Sequence, residues 1–164
     1  MELKSQVRSG LEEIRKIIFN LRPMALDDLG LVPTLRKFVQ DFEEKTKIRA
    51  VFETAGRELR MPSAMEAAVY RLVQEAFSNA LKHASPTFVS LEMTFYPKRV
   101  MIVIKDNGVG FDVEQTMARS KKNSHYGLIG MGERVELLNG KMDIESARGQ
   151  GTKITISIPV STDL

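Results

Sequence analysis

Alternation of apolar and polar residues predicts five β-strands along the chain. Residues 89–96 (VSLEMTFY) place an aliphatic or aromatic side chain at every second position, which is typical of a strand with one buried face. Further apolar or alternating runs predict strands at residues 48–55, 100–106, 141–147 and 152–159. Most of these strands follow one another closely, which favours antiparallel connections.

Between the strands, apolar residues recur every three or four positions, which is the period of an amphipathic helix. This pattern predicts helices over residues 33–45, 63–83 and 127–140. Ser63 and Glu66 are spaced as in a capping box at the start of the second helix. Because helices and strands occur in about equal measure, we predict an α+β fold: a two-layer α/β sandwich with helices on one face of a mixed, mostly antiparallel sheet.

Residues 1–22 carry a heptad-like seam, which is wide enough for a helical bundle, and Pro23 ends it. The alternative is one amphipathic helix lying on its own domain. The pattern divides the rest of the chain into a linker at 23–30, a domain at 31–160 and a tail at 161–164. The seam consists of Leu3, Val7, Gly10, Ile14, Ile17 and Leu21.

Composition excludes several classes of protein. The chain has 164 residues, 43% hydrophobic and 27% charged, and neither a signal peptide nor a run of about 18 apolar residues, so a cytoplasmic location is expected. The absence of cysteine excludes disulfides and thiol catalysis. A net charge of +3 with interspersed signs and no tryptophan argues against nucleic-acid binding. His83 and His125 are too far apart to indicate a zinc site.

The strand at residues 100–106 runs into the sequence DNGVGF, residues 106–111. Asn-Gly between strands is a strong hairpin signal, and a hairpin requires a second strand directly afterwards. Residues 112–126 are polar and show no sustained alternation. We therefore predict a long polar loop here, of a length at which loops tend to be functional.

One stripe of the long helix at 63–83 is polar although most of that helix is apolar. The ordinary interpretation is a face exposed to solvent. However, amide and carboxylate oxygens beside lysine and histidine also suit a hydrated Mg²⁺ ion and phosphates. The stripe consists of Arg71, Glu75, Ser78, Asn79, Lys82 and His83.

Seven of the eleven glycines fall into three clusters at the ends of predicted elements. Glycine lets a backbone approach a ligand closely and adopts turn conformations that other residues resist. A single pair of glycines indicates little, but three clusters beside a polar stripe indicate a binding site. They are Gly108 and Gly110; Gly127, Gly130 and Gly132; and Gly149 and Gly151.

Four segments follow one another along the chain in this order: EAFSNALKHA, DNGVGF, GLIGMGER and GQGT. They resemble the N, G1, G2 and G3 boxes of the Bergerat ATP-binding fold shared by histidine kinases, type II topoisomerases, Hsp90 chaperones and MutL. The resemblance covers about residues 31–160. Residues 14–39 resemble the end of the dimerisation helix and the linker of the histidine-kinase branch that includes nitrate sensors and DegS-like kinases, so residues 1–22 are expected to be a partial dimerisation helix.

The resemblance implies a role for each motif. Asp106 would accept a hydrogen bond from the amino group of adenine, with Thr152 near the same edge of the base. Asn79 would bind Mg²⁺, and Glu75 would contact the metal through water or orient the attacking group. Residues 112–126 would form the ATP lid. The full expected nucleotide-binding set is Asn79, Lys82, His83, Asp106, Gly108, Gly110, Phe111, Gly127, Leu128, Gly130, Met131, Gly132, Gly149, Gly151 and Thr152, with Glu75 and Asn79 as catalytic and metal residues.

The resemblance further implies the ATP-binding catalytic domain of a two-component sensor histidine kinase. Such a domain binds Mg-ATP and transfers the γ-phosphoryl group to a histidine on an upstream dimerisation helix, for onward transfer to a response regulator. The full-length protein would be a homodimer. Neither His83 nor His125 lies in a phosphoacceptor motif, so we expect a C-terminal portion of a kinase that does not phosphorylate itself.

Two alternatives belong to the same superfamily. One is a hydrolase or assembly ATPase in which Glu75 activates water, and the other is an anti-sigma serine kinase. The first would normally require a downstream transducer domain, and the second does not account for the kinase-like helix and linker. In the lid, Lys121 and Lys122 have two interpretations, phosphate contacts or a solvated charge pair, and the second is favoured; for His125 we expect a solvated residue.

Overall fold

The computed structural model describes residues 24–123 and 127–160. The seam at 1–22, the lid residue His125 and the tail at 161–164 lie outside the described residues. The helices are α1 (Met24–Leu29), α2 (Leu31–Thr46), α3 (Ser63–Asn79), α4 (Val113–Asn123) and α5 (Gly127–Leu137), and α3 continues into a π-helical turn (Ala80–Ala84). The strands are β1 (Arg49–Ala55), β2 (Phe88–Tyr96), β3 (Arg99–Asp106), β4 (Lys141–Ser146) and β5 (Thr152–Pro159).

The five strands form one sheet in the order β1-β2-β3-β5-β4. Strand β1 is parallel to β2, and every other pair is antiparallel. The predicted α+β fold with a mixed, mostly antiparallel sheet is therefore confirmed. No helix in the described ranges, 24–123 and 127–160, is long and apolar enough to cross a membrane.

The alternation seen in the sequence places one face of the sheet in the core. Leu91, Ile104 and Ile154 are cross-strand partners and are buried. Above them, Phe77 of α3 is buried and makes edge-to-face contacts with two rings of α2, at centroid distances of 5.3 and 5.0 Å. The opposite face is more polar, as shown by the ion pair of Lys105 with Glu92 across β2 and β3, at 2.7 Å. Burying only one face accounts for the predicted two-layer sandwich.

The core face changes character in its last row, at the end of β3. Here Val89, Asp106, Thr152 and Ser146 are successive cross-strand partners on β2, β3, β5 and β4. The sheet thus presents an acid and two hydroxyls where the rows beneath carry aliphatic residues. This row positions the candidate site.

The predicted linker at 23–30 is in part a helix. Helix α1 anchors itself through the fully buried Leu26. A single residue, Gly30, separates α1 from α2, and its φ of 84° with ψ of −179° is a conformation that essentially only glycine adopts. Helix α2 accordingly begins at Leu31, with Pro33 within its first turn.

The predicted capping box is wrong in its details, although α3 does begin at Ser63. Pro62 occupies the N-cap position, and no side-chain cap is formed there. Glu66 is instead buried and accepts a hydrogen bond from the N–H of Met61 at 3.4 Å, with the Nε atom of Arg60 at 3.6 Å.

The predicted polar loop at 112–126 is also wrong, because α4 occupies most of it. Asp112 begins this helix: its carboxylate accepts from the N–H of Gln115 at 2.8 Å, and its carbonyl accepts from the N–H of Thr116 at 3.0 Å. This mostly polar helix carries only a short apolar face, Val113 and Met117, and it forms here against β4 and α5.

Candidate functional site

Asp106 is the last residue of β3 and is partly buried. Its Oδ1 atom accepts a hydrogen bond from the N–H of Gly108 at 2.8 Å, and the backbone and hydroxyl of Thr152 also donate to the carboxylate. Burial raises the pKa of Asp106 above its ordinary value, and these hydrogen bonds offset part of that rise. The fold therefore holds an acid where ionisation is costly.

A cavity of about 520 Å³ opens at this end of the sheet. Three residues of the predicted binding set line it, namely Asp106, Gly151 and Thr152, whereas Glu75 and Asn79 do not. The complete lining is Lys105, Asp106, Val113, Ile144, Glu145, Ser146, Ala147, Gln150, Gly151, Thr152 and Lys153. The cavity thus joins the G1 and G3 motifs and leaves the N motif to one side.

Ser146, the last residue of β4, connects the two loops around Asp106, and the sequence interpretation missed it. Its hydroxyl accepts from the N–H of Phe111 at 2.9 Å and donates to the carbonyl of Gly151 at 2.8 Å. It also lies 3.2 Å from the hydroxyl of Thr152. The signal available in the sequence was the hairpin of the last two strands, which pairs Ser146 with Thr152.

Asn107, the second residue of DNGVGF, was also missed. Its Oδ1 atom accepts from the N–H groups of Thr87 and Phe88, each at 2.9 Å, and its Nδ2 atom donates to the Thr87 hydroxyl at 2.8 Å. Asn107 therefore fastens the beginning of β2 to the end of β3, immediately beside Asp106.

Three motif glycines allow other backbone segments of the chain to approach closely. A Cβ atom on Gly108 would overlap Ala84, one on Gly110 would overlap the carbonyl of Ala147, and one on Gly151 would overlap the carbonyl of Asp106. Gly110 and Gly151 also have positive φ angles of 62° and 71°. These glycines bring backbone segments together, which is a different reason from the close approach to a ligand that the sequence suggested.

Two other motif glycines, Gly130 and Gly149, face open space. For each, an added Cβ would meet no heavy atom of the described residues within 4 Å. A packing role within the described chain therefore does not account for them. Gly132 is intermediate, because its Cβ would lie at an ordinary 3.5 Å from the Cε atom of Met142.

The structure brings the polar stripe of α3 against the beginning of α5. A Cβ on Gly127 would lie 3.0 Å from Oε1 of Glu75 and 3.6 Å from both side-chain polar atoms of Asn79. The Nδ2 atom of Asn79 is buried and has no hydrogen-bond partner among the residues that the structure describes. An unpaired buried polar group costs about 1–3 kcal/mol, and a ligand that accepts a hydrogen bond from this nitrogen would remove that cost.

The remaining predicted residues differ in exposure. Lys82 and His83 are exposed on the π-helical turn that follows Asn79, and such turns are frequent at functional sites. Leu128 is partly buried, whereas Met131 is fully buried and belongs to the hydrophobic core. The side chain of Met131 thus packs inside the protein.

An Mg²⁺ ion fits this donor set only as a partner of phosphates. No group of three or more metal-binding side chains occurs within 24–123 and 127–160. Mg²⁺ typically binds one or two protein oxygens and completes its octahedron with phosphate oxygens and water. The amide oxygen of Asn79 and the carboxylate of the adjacent Glu75 supply that number of oxygens. The unpaired Nδ2 atom of Asn79 is a donor and suits a phosphate oxygen rather than the cation.

A family model described as "Histidine kinase-, DNA gyrase B-, and HSP90-like ATPase" matches residues 64–162. The signal transduction histidine-protein kinase/phosphatase DegS of Brevibacillus brevis is 46% identical over 162 residues, which cover 99% of this chain and 41% of that protein. The oxygen sensor histidine kinase NreB of Staphylococcus carnosus (strain TM300) is 34% identical over 151 residues, which cover 92% of this chain and 42% of that protein.

A solved structure agrees in fold. The blue-light activated histidine kinase of Erythrobacter litoralis EL346 matches with a TM-score of 0.71 at 18% identity, over 97% of this chain and 51% of that chain. The present chain spans about two fifths of the length of the curated relatives it matches. The resemblance carried by the four motifs is confirmed, and the chain belongs to the histidine kinase-, DNA gyrase B- and HSP90-like ATPase family.

Proposed function

We propose that this chain is the ATP-binding catalytic domain of a two-component sensor histidine kinase. The family match and the two kinase relatives support the proposal. The observation that carries it is the carboxylate of Asp106, which lines a cavity and is held partly buried although burial raises its pKa. Maintaining an acid at such a cost is typical of a functional site.

Asp106 recognises adenine by accepting a hydrogen bond from its amino group. An ionised carboxylate offers about four acceptor positions and no donor. The donors from Gly108 and Thr152 occupy part of this capacity and fix the orientation of the carboxylate. The remaining lone pairs accept a hydrogen bond from an amino group, whereas a purine with a carbonyl at that position presents a second acceptor and is rejected.

Asn79, Glu75 and the beginning of α5 form the phosphate end of the site. Gly127 brings the first turn of α5 against both side chains. The N–H groups of a helix start favour an anion, and the exposed Lys82 on the π-helical turn adds positive charge, with the His83 ring beside it as a further hydrogen-bond donor. Asn79 and Glu75 would hold Mg²⁺, which would neutralise charge on the phosphates. Gly130, which meets no described atom, leaves room for the phosphates.

The phosphoryl acceptor is a histidine on a dimerisation helix of the same kinase, and a response regulator receives the group afterwards. Both relatives are named as histidine kinases. The similarity to DegS covers 99% of this chain and therefore extends upstream of the family match, which begins at residue 64. Catalysis then consists mainly of positioning and charge stabilisation, with Glu75 orienting the attacking group.

The first experiment measures nucleotide binding by titration calorimetry in the presence of Mg²⁺. Asp106→Asn should reduce the affinity for ATP at least about a hundredfold, because the amide can present a donor to a donor and leaves buried groups unpaired. Asp143→Asn is the matched control, since Asp143 is exposed on β4. Equal affinities of the two variants would refute the role of Asp106.

The second experiment separates kinase from hydrolase. The chain is mixed with labelled ATP and the histidine-bearing segment of DegS, and phosphorylated segment and released phosphate are both measured. A kinase labels the segment and leaves the chain itself unlabelled. Release of phosphate without transfer would favour the hydrolase, and acid-labile phosphohistidine on His83 or His125 would contradict the proposed acceptor.

A further inference from the structure

The dipeptide Asn-Gly occurs twice in the chain, as Asn107–Gly108 in the DNGVGF motif and as Asn139–Gly140 directly after α5. Both asparagines are exposed. In this dipeptide the backbone nitrogen of the glycine can attack the asparagine side chain readily, because glycine has no side chain to hinder the approach. The chain therefore holds one reactive sequence in two different surroundings.

The reaction is deamidation, and water is its only co-reactant. The glycine nitrogen loses its proton and attacks the side-chain carbonyl carbon of asparagine. The amide group takes up a proton and leaves as ammonia, while the new C–N bond closes a cyclic imide. Water then opens the imide at either carbonyl group, which gives aspartate or isoaspartate, and isoaspartate adds a methylene group to the backbone. The reaction thus requires a glycine N–H that can lose its proton and an asparagine side chain that can turn towards it.

The surroundings of Asn107 oppose both requirements. The N–H of Gly108 donates to Oδ1 of Asp106 at 2.8 Å, and the negative carboxylate disfavours a second negative charge on this nitrogen. Gly108 is also buried. The Asn107 side chain is held by three hydrogen bonds, two from the N–H groups of Thr87 and Phe88 at 2.9 Å each and one to the Thr87 hydroxyl at 2.8 Å.

The surroundings of Asn139 oppose the reaction much less. The N–H of Gly140 donates to a neutral group, the carbonyl of Val135, at 2.9 Å, and Gly140 is only partly buried. The Asn139 side chain has no hydrogen-bond partner within residues 24–123 and 127–160. The dipeptide also follows the last turn of α5, and helix ends fray.

We propose that Asn139 is a site of spontaneous deamidation in the folded protein and that Asp106 protects Asn107 from the same reaction. The carboxylate of Asp106 retains the proton of the nitrogen that would attack Asn107. Isoaspartate at position 107 would lengthen the backbone directly beside Asp106, so this protection preserves the candidate site. The inference does not depend on the proposed function, since the reaction involves no nucleotide.

The test incubates the chain in mildly alkaline buffer without nucleotide and follows both sites by peptide mass spectrometry. Trypsin releases the peptides 106–119 and 135–141, each of which contains a single asparagine. Deamidation should be at least about tenfold faster at Asn139 than at Asn107, the equivalent of one or two hydrogen bonds. In urea that unfolds the chain, the two rates should converge, because the dipeptides are identical.

Variants of Asp106 identify the protecting group. Asp106→Ala removes the acceptor of the Gly108 proton and should raise the rate at Asn107 about fivefold or more, the equivalent of one hydrogen bond, without changing the rate at Asn139. Asp143→Ala, at an exposed acid of β4, is the matched control and should leave both rates unchanged. If Asp106→Ala does not fold, Asp106→Asn takes its place, since it keeps the shape and removes the negative charge.

Three results would overturn the inference. The first is an equal rate at both sites in the folded chain. The second is a difference that persists in urea, because the local sequence and not the fold would then decide the rates. The third is an Asp106 variant that leaves the rate at Asn107 unchanged, or that raises the rates at Asn107 and Asn139 alike, as general unfolding would.

Discussion

The substitution Gly108→Ala tests whether Gly108 is needed for packing within the fold or for space around a ligand. Gly108 lies in the DNGVGF motif, two residues after Asp106, and is buried against the end of the π-helical turn. A Cβ at this position would overlap the carbonyl oxygen of Ala84 and lie 2.8 Å from its carbonyl carbon. Those atoms belong to the backbone, so the whole turn must shift.

The expected cost has two parts. Overpacking a tightly packed site costs about 1–3 kcal/mol. The shift also lengthens the hydrogen bond from the N–H of Val109 to the carbonyl of Ala84, now 2.9 Å, which is worth about 1 kcal/mol. The variant should therefore lose about 2–4 kcal/mol in free energy of unfolding, and its Tm should fall by about 5–15 °C for a chain of 164 residues.

Thermal and urea denaturation without nucleotide measure this loss. Gly132→Ala is the control, because its Cβ would make only an ordinary contact with Met142 of β4, and alanine favours a helix interior. A second variant combines Gly108→Ala with Ala84→Gly, which removes the Ala84 Cβ that would lie 2.5 Å away, and it should recover part of the stability. A Gly108→Ala variant that keeps its stability but loses ATP binding would refute the packing explanation.

Three further predictions concern the site. Gly130→Ala should raise Tm by about 2–4 °C, since alanine gains about 1 kcal/mol over glycine in a helix and no described atom lies within 4 Å, yet it should weaken ATP binding about tenfold or more; unchanged affinity would remove Gly130 from the phosphate site. ATP binding measured against pH should fall on the acid side with a midpoint above the ordinary pKa of aspartate, because burial raises the pKa of Asp106 and protonation removes its acceptor. The stability of the nucleotide-free chain should change in the opposite sense. Because the pKa of Asp106 is raised in the folded state, its contribution to stability is fully present below its unfolded pKa and is lost as pH rises through its folded pKa. An Asp106→Asn variant with unchanged pH profiles of ATP binding and of stability would contradict both statements. Asn79→Ala should lower the free energy of unfolding by less than about 1 kcal/mol, because its amide nitrogen has no partner among the described residues, while its loss of ATP affinity should be larger with Mg²⁺ than with a chelator; equal losses in both buffers would argue against a metal contact.

Much of the fold was predictable because its signals are local. Residues 89–96 alternate strictly, and β2 and its four companion strands form where the pattern placed them. Helix α5 ends near the predicted stop, where Asn139 adopts a φ of 54° and the N–H of Gly140 bonds to the carbonyl of Val135 at 2.9 Å. Helix α4 was missed because its inward-facing residues, Val113, Thr116 and Met117, are too few to give a clear apolar period. The cap at Asp112 was the remaining signal.

The sequence predicted which residues belong to the candidate site but not their geometry. The motifs identified Asp106 and Thr152, and the structure places them side by side as cross-strand partners. The sequence did not show why positions 108 and 110 require glycine. A Cβ atom at these positions would overlap Ala84 and Ala147, which lie in distant parts of the chain. Asn107 likewise resembled a turn residue and proved to fasten β2 to β3.

By itself, the sequence determined the strands, the long helices and the four motifs, because side-chain periodicity and glycine content are properties of neighbouring residues. The tertiary structure alone decided which groups surround Asp106. Ser146 reaches Phe111 across 35 positions, and Gly127 meets Glu75 and Asn79 only when α5 packs on α3. Such contacts depend on strand register and helix packing, which are set by burial of the whole core and leave no mark on any short segment.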